Sequence, residues 1–295
     1  GGGIAIVLPY LFPFMIMLAI LEDIGYLPRV AFLTDALMHR IGLHGKAVIP
    51  AILGYGCNVP AVMATRILDS PRDRLIAGTI STMIPCAARM SIITGLVGFY
   101  LGGVAAFLIY VLNIVIIGLT GHVLNKMLPE VSPGMVLEIP PYRTPILSSV
   151  LKKAWFRIKD FITIAWPLLI AGSVILTLIS HFQLDQIING MLSPLTWLLG
   201  LPKEVGITLI FGVLRKELSM LMLFQALGTQ NVISVLTKGQ ILVFTIFVVF
   251  YIPCVATIGA LAKQVRLKAT TFIVLLTFFL ALILALAARV LALLF

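Results

Sequence analysis

The sequence predicts an all-α polytopic membrane protein, and three observations lead there. First, 61% of the 295 residues are hydrophobic and only 11% are charged, against roughly 45–50% and about 25% in soluble domains. Second, the apolar residues gather into runs of about 20, the length that crosses a bilayer as a helix. Third, most cations fall between those runs, as juxtamembrane anchors do. In hydrocarbon every backbone N–H and C=O must be satisfied within the protein, so the runs are helices and not open sheet. That placement also turns the net charge of +10 away from a nucleic-acid reading.

Taken in order, residues 3–21, 75–101, 103–125, 161–181, 240–262 and 269–294 are expected to span. Two other stretches differ. Residues 47–67 carry Pro50, Gly54, Gly56 and Pro60, and residues 205–227 carry Arg215, Lys216 and Glu217 at their centre. Both predict broken or re-entrant elements, because irregular backbone at membrane depth must be buried or line a cavity. The order of spanning helix, broken element, helix with an internal Pro-Cys, and spanning helix then occurs twice. Pro85-Cys86-Ala87-Ala88 and Pro253-Cys254-Val255-Ala256 hold matching places.

If the broken elements do not cross, 15 Lys and Arg fall in loops on one side and 2 on the other. The positive-inside rule assigns the richer side, with the loop 22–46, to the cytoplasm. Two inverted repeats follow, 1–128 and 161–295. Between them lies 129–160, a proline-rich linker running into an interfacial basic helix, 148–160 (SSVLKKAWFRIKD).

Chemistry-bearing residues are few. In Gly54-Tyr55-Gly56-Cys57-Asn58-Val59-Pro60 the glycines permit unwinding, and Asn58 and Pro60 suit the cap and first turn of a following helix. Cys57, Cys86 and Cys254 each lie beside a helix-breaking Pro or Gly. Each either fills a tight turn as a small hydrophobe or offers a soft ligand beside unwound carbonyls. Thiolate, amide and carbonyl groups suit borderline divalent metals better than Mg²⁺ or Ca²⁺. No disulfide and no permanent metal are expected, since no tight ligand spacing exists. Glu217 is the acidic residue within a predicted membrane element, positioned to ligate a cation, neutralise Arg215 or pair with Arg89. Arg289 is expected to snorkel. Glu22 and Asp23 close the first helix, where they are a solvated boundary or a cation entrance. His39, His44, His122 and His181 show no mutual ligand spacing and are expected at the surface. Gly42-Leu43-His44-Gly45-Lys46 is too short for a phosphate loop, so no bound nucleotide is expected.

These residues resemble the ferrous iron transport protein B family. The resemblance is carried by Leu21-Glu22-Asp23-Ile24-Gly25-Tyr26, by residues 54–68 (GYGCNVPAVMATRIL), by Arg72-Asp73-Arg74, by Pro85-Cys86-Ala87-Ala88-Arg89 and by residues 251–257 (YIPCVAT). Ile24, Leu27, Pro85 and Ala87 depart from the residues usual in the family. The resemblance implies a membrane permease for Fe²⁺, which is the transported substrate, with Cys57, Cys86 and Cys254 along the pathway and Asn58 and Glu217 as helpers. Glu22, Asp23 and Arg89 are assigned to entrance or gating. It further implies the cytoplasmic membrane of a prokaryote, no enzymatic activity in this chain, and a GTP-binding domain, fused upstream or on a separate chain. Because no such domain and no initiator Met precede Gly1, a piece of a longer protein or one chain of a split system is expected. Other expected partners are membrane lipid and small accessory proteins of iron uptake; homo-oligomerisation stays open and no nucleic acid is expected. The alternatives are a gate-type permease for Mn²⁺ or a nucleoside, and an intramembrane enzyme or assembly scaffold.

Overall fold

The computed structural model describes the backbone of residues 2–40, 42–128, 142–181, 185–214, 216, 219–228 and 232–294, with most side chains from Phe12 onward. Among these residues every regular element is helical. The first half of the chain holds α1 (Gly2–Asp23), α2 (Tyr26–Arg40), α3 (Val48–Gly56), α4 (Asn58–Ala64), α5 (Pro71–Met83), α6 (Ala87–Ile92) and α7 (Gly103–Met127). The second holds α8 (Leu147–His181), α9 (Asp185–Leu199), α10 (Val205–Leu214), α11 (Ser219–Leu227), α12 (Lys238–Phe250), α13 (Val255–Gln264) and α14 (Leu267–Leu294). A π-helical segment, Ile93–Gly98, continues α6.

Among the described residues four stretches are long and apolar enough to cross a membrane: Pro71–Gly98, Gly103–Met127, Lys238–Gln264 and Leu267–Ala292. The protein is therefore an all-α polytopic membrane protein. Of the two stretches expected to break, 47–67 does so, between α3 and α4; the centre of the other, 215–218, lies largely outside the described residues. Two expected continuous spans also break. Residues 75–101 divide into α5 and α6, and 240–262 into α12 and α13. The cause is local: Pro85 has no N–H to give, and it forces Ile84 into an extended conformation (φ −59°, ψ 131°). Pro253 follows Tyr251, where α12 stops (φ −66°, ψ −167°).

Three further expectations need correction. The loops 22–46 and 182–203 contain helices α2 and α9, which alternate polar and apolar faces and so lack a long apolar run. The interfacial helix 148–160 is not a separate element but the first part of the 35-residue α8; nothing between Asp160 and Phe161 breaks the ladder. Arg289 does more than snorkel, because its Nη1 donates to the Trp197 carbonyl at 3.0 Å and to that of Leu198. A cation at the α9 C-terminus satisfies carbonyls that have no helical partner. Most of the linker, 129–141, lies outside the described residues.

The chain divides into two compact units, each drawing on both halves of the sequence. One comprises residues 1–86, 115–166 and 260–267. Its core joins Met15, Leu18, Leu53, Ala61 and Ile158, with Phe14, Ile52 and Cys57 against them. Gly56 is required there, because a Cβ would stand 2.1 Å from the Phe14 ring. Ser70 caps α5 by accepting from the Asp73 N–H, with Pro71 in the first turn. Arg72, buried, ties the start of α5 to its surroundings by donating to the carbonyls of Leu128 (2.6 Å) and Gly42 (3.2 Å) and to Asn125 Oδ1.

The other unit comprises residues 87–114, 167–259 and 268–295. Thr237 and Gln240 form a capping box at the start of α12. Phe244, Phe247, Phe250 and Tyr251 on α12 and its end are fully buried, as are Ile92, Ile93 and Leu96. Without water to expel, such helices associate by close packing, which small residues permit. Gly95 against Met220 and Gly239 against Ala292 leave no room for a Cβ without displacement.

Candidate functional site

Each cysteine stands immediately before a short helix. Cys57 is the N-cap of α4 and is extended (φ −153°, ψ 132°). Cys86 directly precedes α6, and Cys254 directly precedes α13, where its carbonyl accepts from the Ile258 N–H at 3.0 Å. At such positions the first backbone N–H groups of the helix have no intrahelical partner, and the helix dipole presents its positive end. All three thiols are half-buried and none is in a disulfide. Cys57 and Cys86 belong to the first unit, Cys254 to the second.

Asn58 was expected to cap α4. The cap is one residue earlier, at Cys57, and Asn58 is the first helical residue. Its side chain reaches elsewhere: Nδ2 donates to the Thr82 carbonyl at 3.2 Å. In a continuous helix that carbonyl would take the N–H of residue 86, which the break at Pro85 diverts. Asn58 is only 5% exposed, and its Oδ1 is buried with no hydrogen-bond partner among the described residues. Gly54 faces Ile84, where a Cβ would approach to 3.1 Å. The segments carrying Cys57 and Cys86 are therefore clamped together, with an open amide acceptor beside them.

The break at 251–254 is held differently. Arg89, 1% exposed, donates through Nη2 to the Tyr251 carbonyl at 3.4 Å. Lys216, also buried, donates to the Val248 carbonyl at 3.3 Å and stands 4.5 Å from the Tyr251 ring centroid. Two cations thus serve carbonyls at the C-terminal end of α12, where the dipole is negative. Tyr251 adds a bond from its hydroxyl to the Leu209 carbonyl at 2.9 Å, in the space that the absent side chain of Gly212 leaves. Cys254 Sγ lies 3.0 Å from Thr257 Oγ1. Sequence reasoning missed Lys216 as a structural cation and Thr82 as a partner. Glu217 and Arg215 lie outside the described residues, and with them the pairing expected for Arg89.

Glu22 and Asp23 are engaged by α8. Asp23 accepts from the Ile146 N–H (2.8 Å), Ser149 Oγ (2.9 Å) and Lys153 Nζ (3.0 Å). Glu22 pairs with Arg157 and with Lys153. The Ile146 N–H first, then Lys153 and Ser149, hold the Asp23 carboxyl down at about 2. A cleft lined by Thr94, Gly95, Phe99, Tyr100, Met220 and Phe224 contains none of the expected site residues. Contrary to the expectation that the histidines share no ligand spacing, His39 and His44 meet, with ring centroids 5.2 Å apart. The turn at Gly42 brings them together, which linear spacing does not reveal.

Comparison with known proteins agrees with the motifs. A gate family model, described as nucleoside recognition, matches residues 4–100 and 162–268. A second, the ferrous iron transport protein B C terminus, matches residues 106–157. A protein of Methanocaldococcus jannaschii named Fe(2+) transporter FeoB is 31% identical, over 98% of this chain and 48% of that protein. Proteins of the same name in Staphylococcus aureus strain COL (30%, over 89% of this chain and 43% of that protein) and Salmonella typhimurium (40%, over 63% and 25%) are also similar. The chain spans about half the length, or less, of these curated relatives. No solved structure matches it. Motifs, helical membrane architecture and family models coincide over nearly the whole sequence: the chain belongs to the ferrous iron transport protein B family.

Proposed function

We propose that this chain is the permease of an Fe²⁺ uptake system in the cytoplasmic membrane of a prokaryote, the ion passing along Cys57, Cys86 and Cys254. The observation that carries the reading is that every cysteine directly precedes a short helix at a break in the helical backbone. Thiols beside helix N-termini and unwound carbonyls offer a few borderline-soft ligands, enough to replace part of the hydration shell and too few to trap the ion. Asn58 contributes its unpartnered Oδ1, and Glu217 remains a proposed helper. The ion pairs from Glu22 and Asp23 to α8 act as a gating latch, with Arg89 holding the other break. The length of the relatives that this chain does not match leaves room for the G domain that the family resemblance implies. Two inverted repeats, 1–128 and 161–295 joined through 129–160, would pair the Cys86 break with the Cys254 break. The chain itself catalyses nothing in this reading.

The test is radioiron uptake by proteoliposomes containing this chain, with and without a G-domain partner, and with Cys57, Cys86 and Cys254 all replaced by Ser. Uptake should fall sharply in the triple variant while thermal unfolding is little changed; full uptake removes the pathway assignment. The description of the matched gate model supports a second reading, nucleoside passage. Excess nucleoside in the same assay separates the two, since only a shared pathway would be inhibited.

A further inference from the structure

Helix α2 ends in a fold-back that the sequence encodes through two glycines. Gly42 adopts φ +75°, its N–H donates to the His39 carbonyl, and the Leu43 N–H donates to that of Met38, both at 3.0 Å. This is the Schellman arrangement, for which a left-handed glycine is the usual residue. Gly45 then lies against the Ala31 carbonyl, where a Cβ would stand at 1.9 Å. Its N–H donates to Asp35 Oδ1 at 2.6 Å. Arg72 holds the same turn through the Gly42 carbonyl. The chain is thereby returned along α2, and His44 is set against His39, which shares a helical face with Asp35.

We propose that Asp35, His39 and His44 form a binding site for a borderline divalent transition-metal ion, separate from the three cysteines. One ligand atom from each lies within 4.8 Å of the others. His39 Nδ1 donates to the Asp35 carbonyl at 3.0 Å, which leaves Nε2 as the lone-pair nitrogen. Metal-binding histidines are commonly fixed in this way by a carbonyl on the other nitrogen. Asp35 is likewise oriented: Oδ1 takes the Gly45 N–H, and Oδ2 lies 3.4 Å from His39 Nδ1. Two imidazoles and one carboxylate suit Fe²⁺, Co²⁺ or Zn²⁺ and leave positions for water, whereas Mg²⁺ and Ca²⁺ prefer oxygen cages. The site is half-open, with the His39 side chain 50% and that of Asp35 29% exposed. The neighbouring cation, Lys46, is directed to Asp69 at 3.8 Å. The site's role, receiving the transported ion at the membrane surface, rests on the transport reading; the binding itself does not.

Cobalt titration of the detergent-purified chain, prepared without a histidine tag and under reducing conditions, tests the proposal. Thiolate ligands give near-ultraviolet charge-transfer absorption, and a nitrogen–oxygen site gives only visible d–d bands. In a Cys57→Ser, Cys86→Ser, Cys254→Ser background one cobalt per chain should remain, with d–d bands alone. Adding His39→Gln and His44→Gln should abolish it. Asp35→Asn, which keeps an oxygen for the Gly45 N–H, should weaken it by about tenfold or more. No cobalt bound in the cysteine-free background, or binding indifferent to the histidine and aspartate substitutions, overturns the site. Either result leaves the uptake assay of the cysteine variants untouched, so the two readings fail independently.

Discussion

Two breaks in this molecule look alike in the backbone and differ in charge. At Cys57 the interrupted helix is clamped by a neutral amide: Asn58 donates to Thr82 and keeps one buried oxygen open. At residues 251–254 the clamp is cationic, with Arg89 and Lys216 both donating to carbonyls at the end of α12. A cation approaching the first meets an acceptor; approaching the second, it meets two like charges in a medium of low dielectric. If the ion passes as proposed, the same device, a cysteine ahead of a short helix, would bind it more strongly at Cys57 than at Cys254.

That contrast can be broken in four ways. The largest effect should come from Arg89→Met with Lys216→Met, which strips charged donors from two carbonyls and should destabilise the protein by about 4 kcal/mol; thermal unfolding in detergent measures it. An unchanged melting temperature would mean that the cations are not structural. Next, Cys57→Ser and Cys86→Ser should each lower radioiron uptake by about tenfold, Cys254→Ser by less than about threefold. Equal losses at all three would erase the distinction.

Asn58→Leu, of similar size, should lower stability by about 1–2 kcal/mol by removing the buried hydrogen bond from Asn58 to the Thr82 carbonyl. Chemical denaturation of the same preparation gives the figure, and no loss would mean water takes the place of the amide. The smallest effect concerns Asp23. Its carboxyl is held below its usual value, at about 2, so its contribution is complete above pH of about 4 and disappears only as the pH falls towards 2. Hydrogen exchange at the Ile146 amide, corrected for intrinsic rate, should therefore be flat from pH 7 to about 4.5 and faster in Asp23→Asn. Protection that fades already near neutral pH would contradict this.

Much of the fold was legible because membrane helices are written in long apolar runs and their interruptions in Pro and Gly, both local signals. The Cys57 break could be read from Gly54, Gly56 and Pro60, though its cap fell one residue early. The breaks at Cys86 and Cys254 are visible as Pro-Cys pairs inside stretches expected to span without interruption; the extended residue imposed before Pro85 makes the first a full stop. Helices α2 and α9 escaped because an amphipathic helix between spans looks like a polar loop. The site was harder. Asn58 and Thr82 are 24 residues apart, Arg89 and Tyr251 are 162 apart, and no spacing rule links them. His39 and His44 are near in sequence, but their encounter depends on a left-handed glycine that reverses the chain between them.

The π-helical segment Ile93–Gly98 carries one last consequence. Such a turn corresponds to an α-helix into which one extra residue has been inserted. Removing a single residue there would let the hydrogen-bond ladder close as an ordinary helix. Helix α6, Arg89 included, would then rotate by about 100° relative to Phe99 and the residues beyond. The guanidinium would swing off the Tyr251 carbonyl although no side chain in the site had been changed. In this stretch, chain length is itself a determinant of where a charge points.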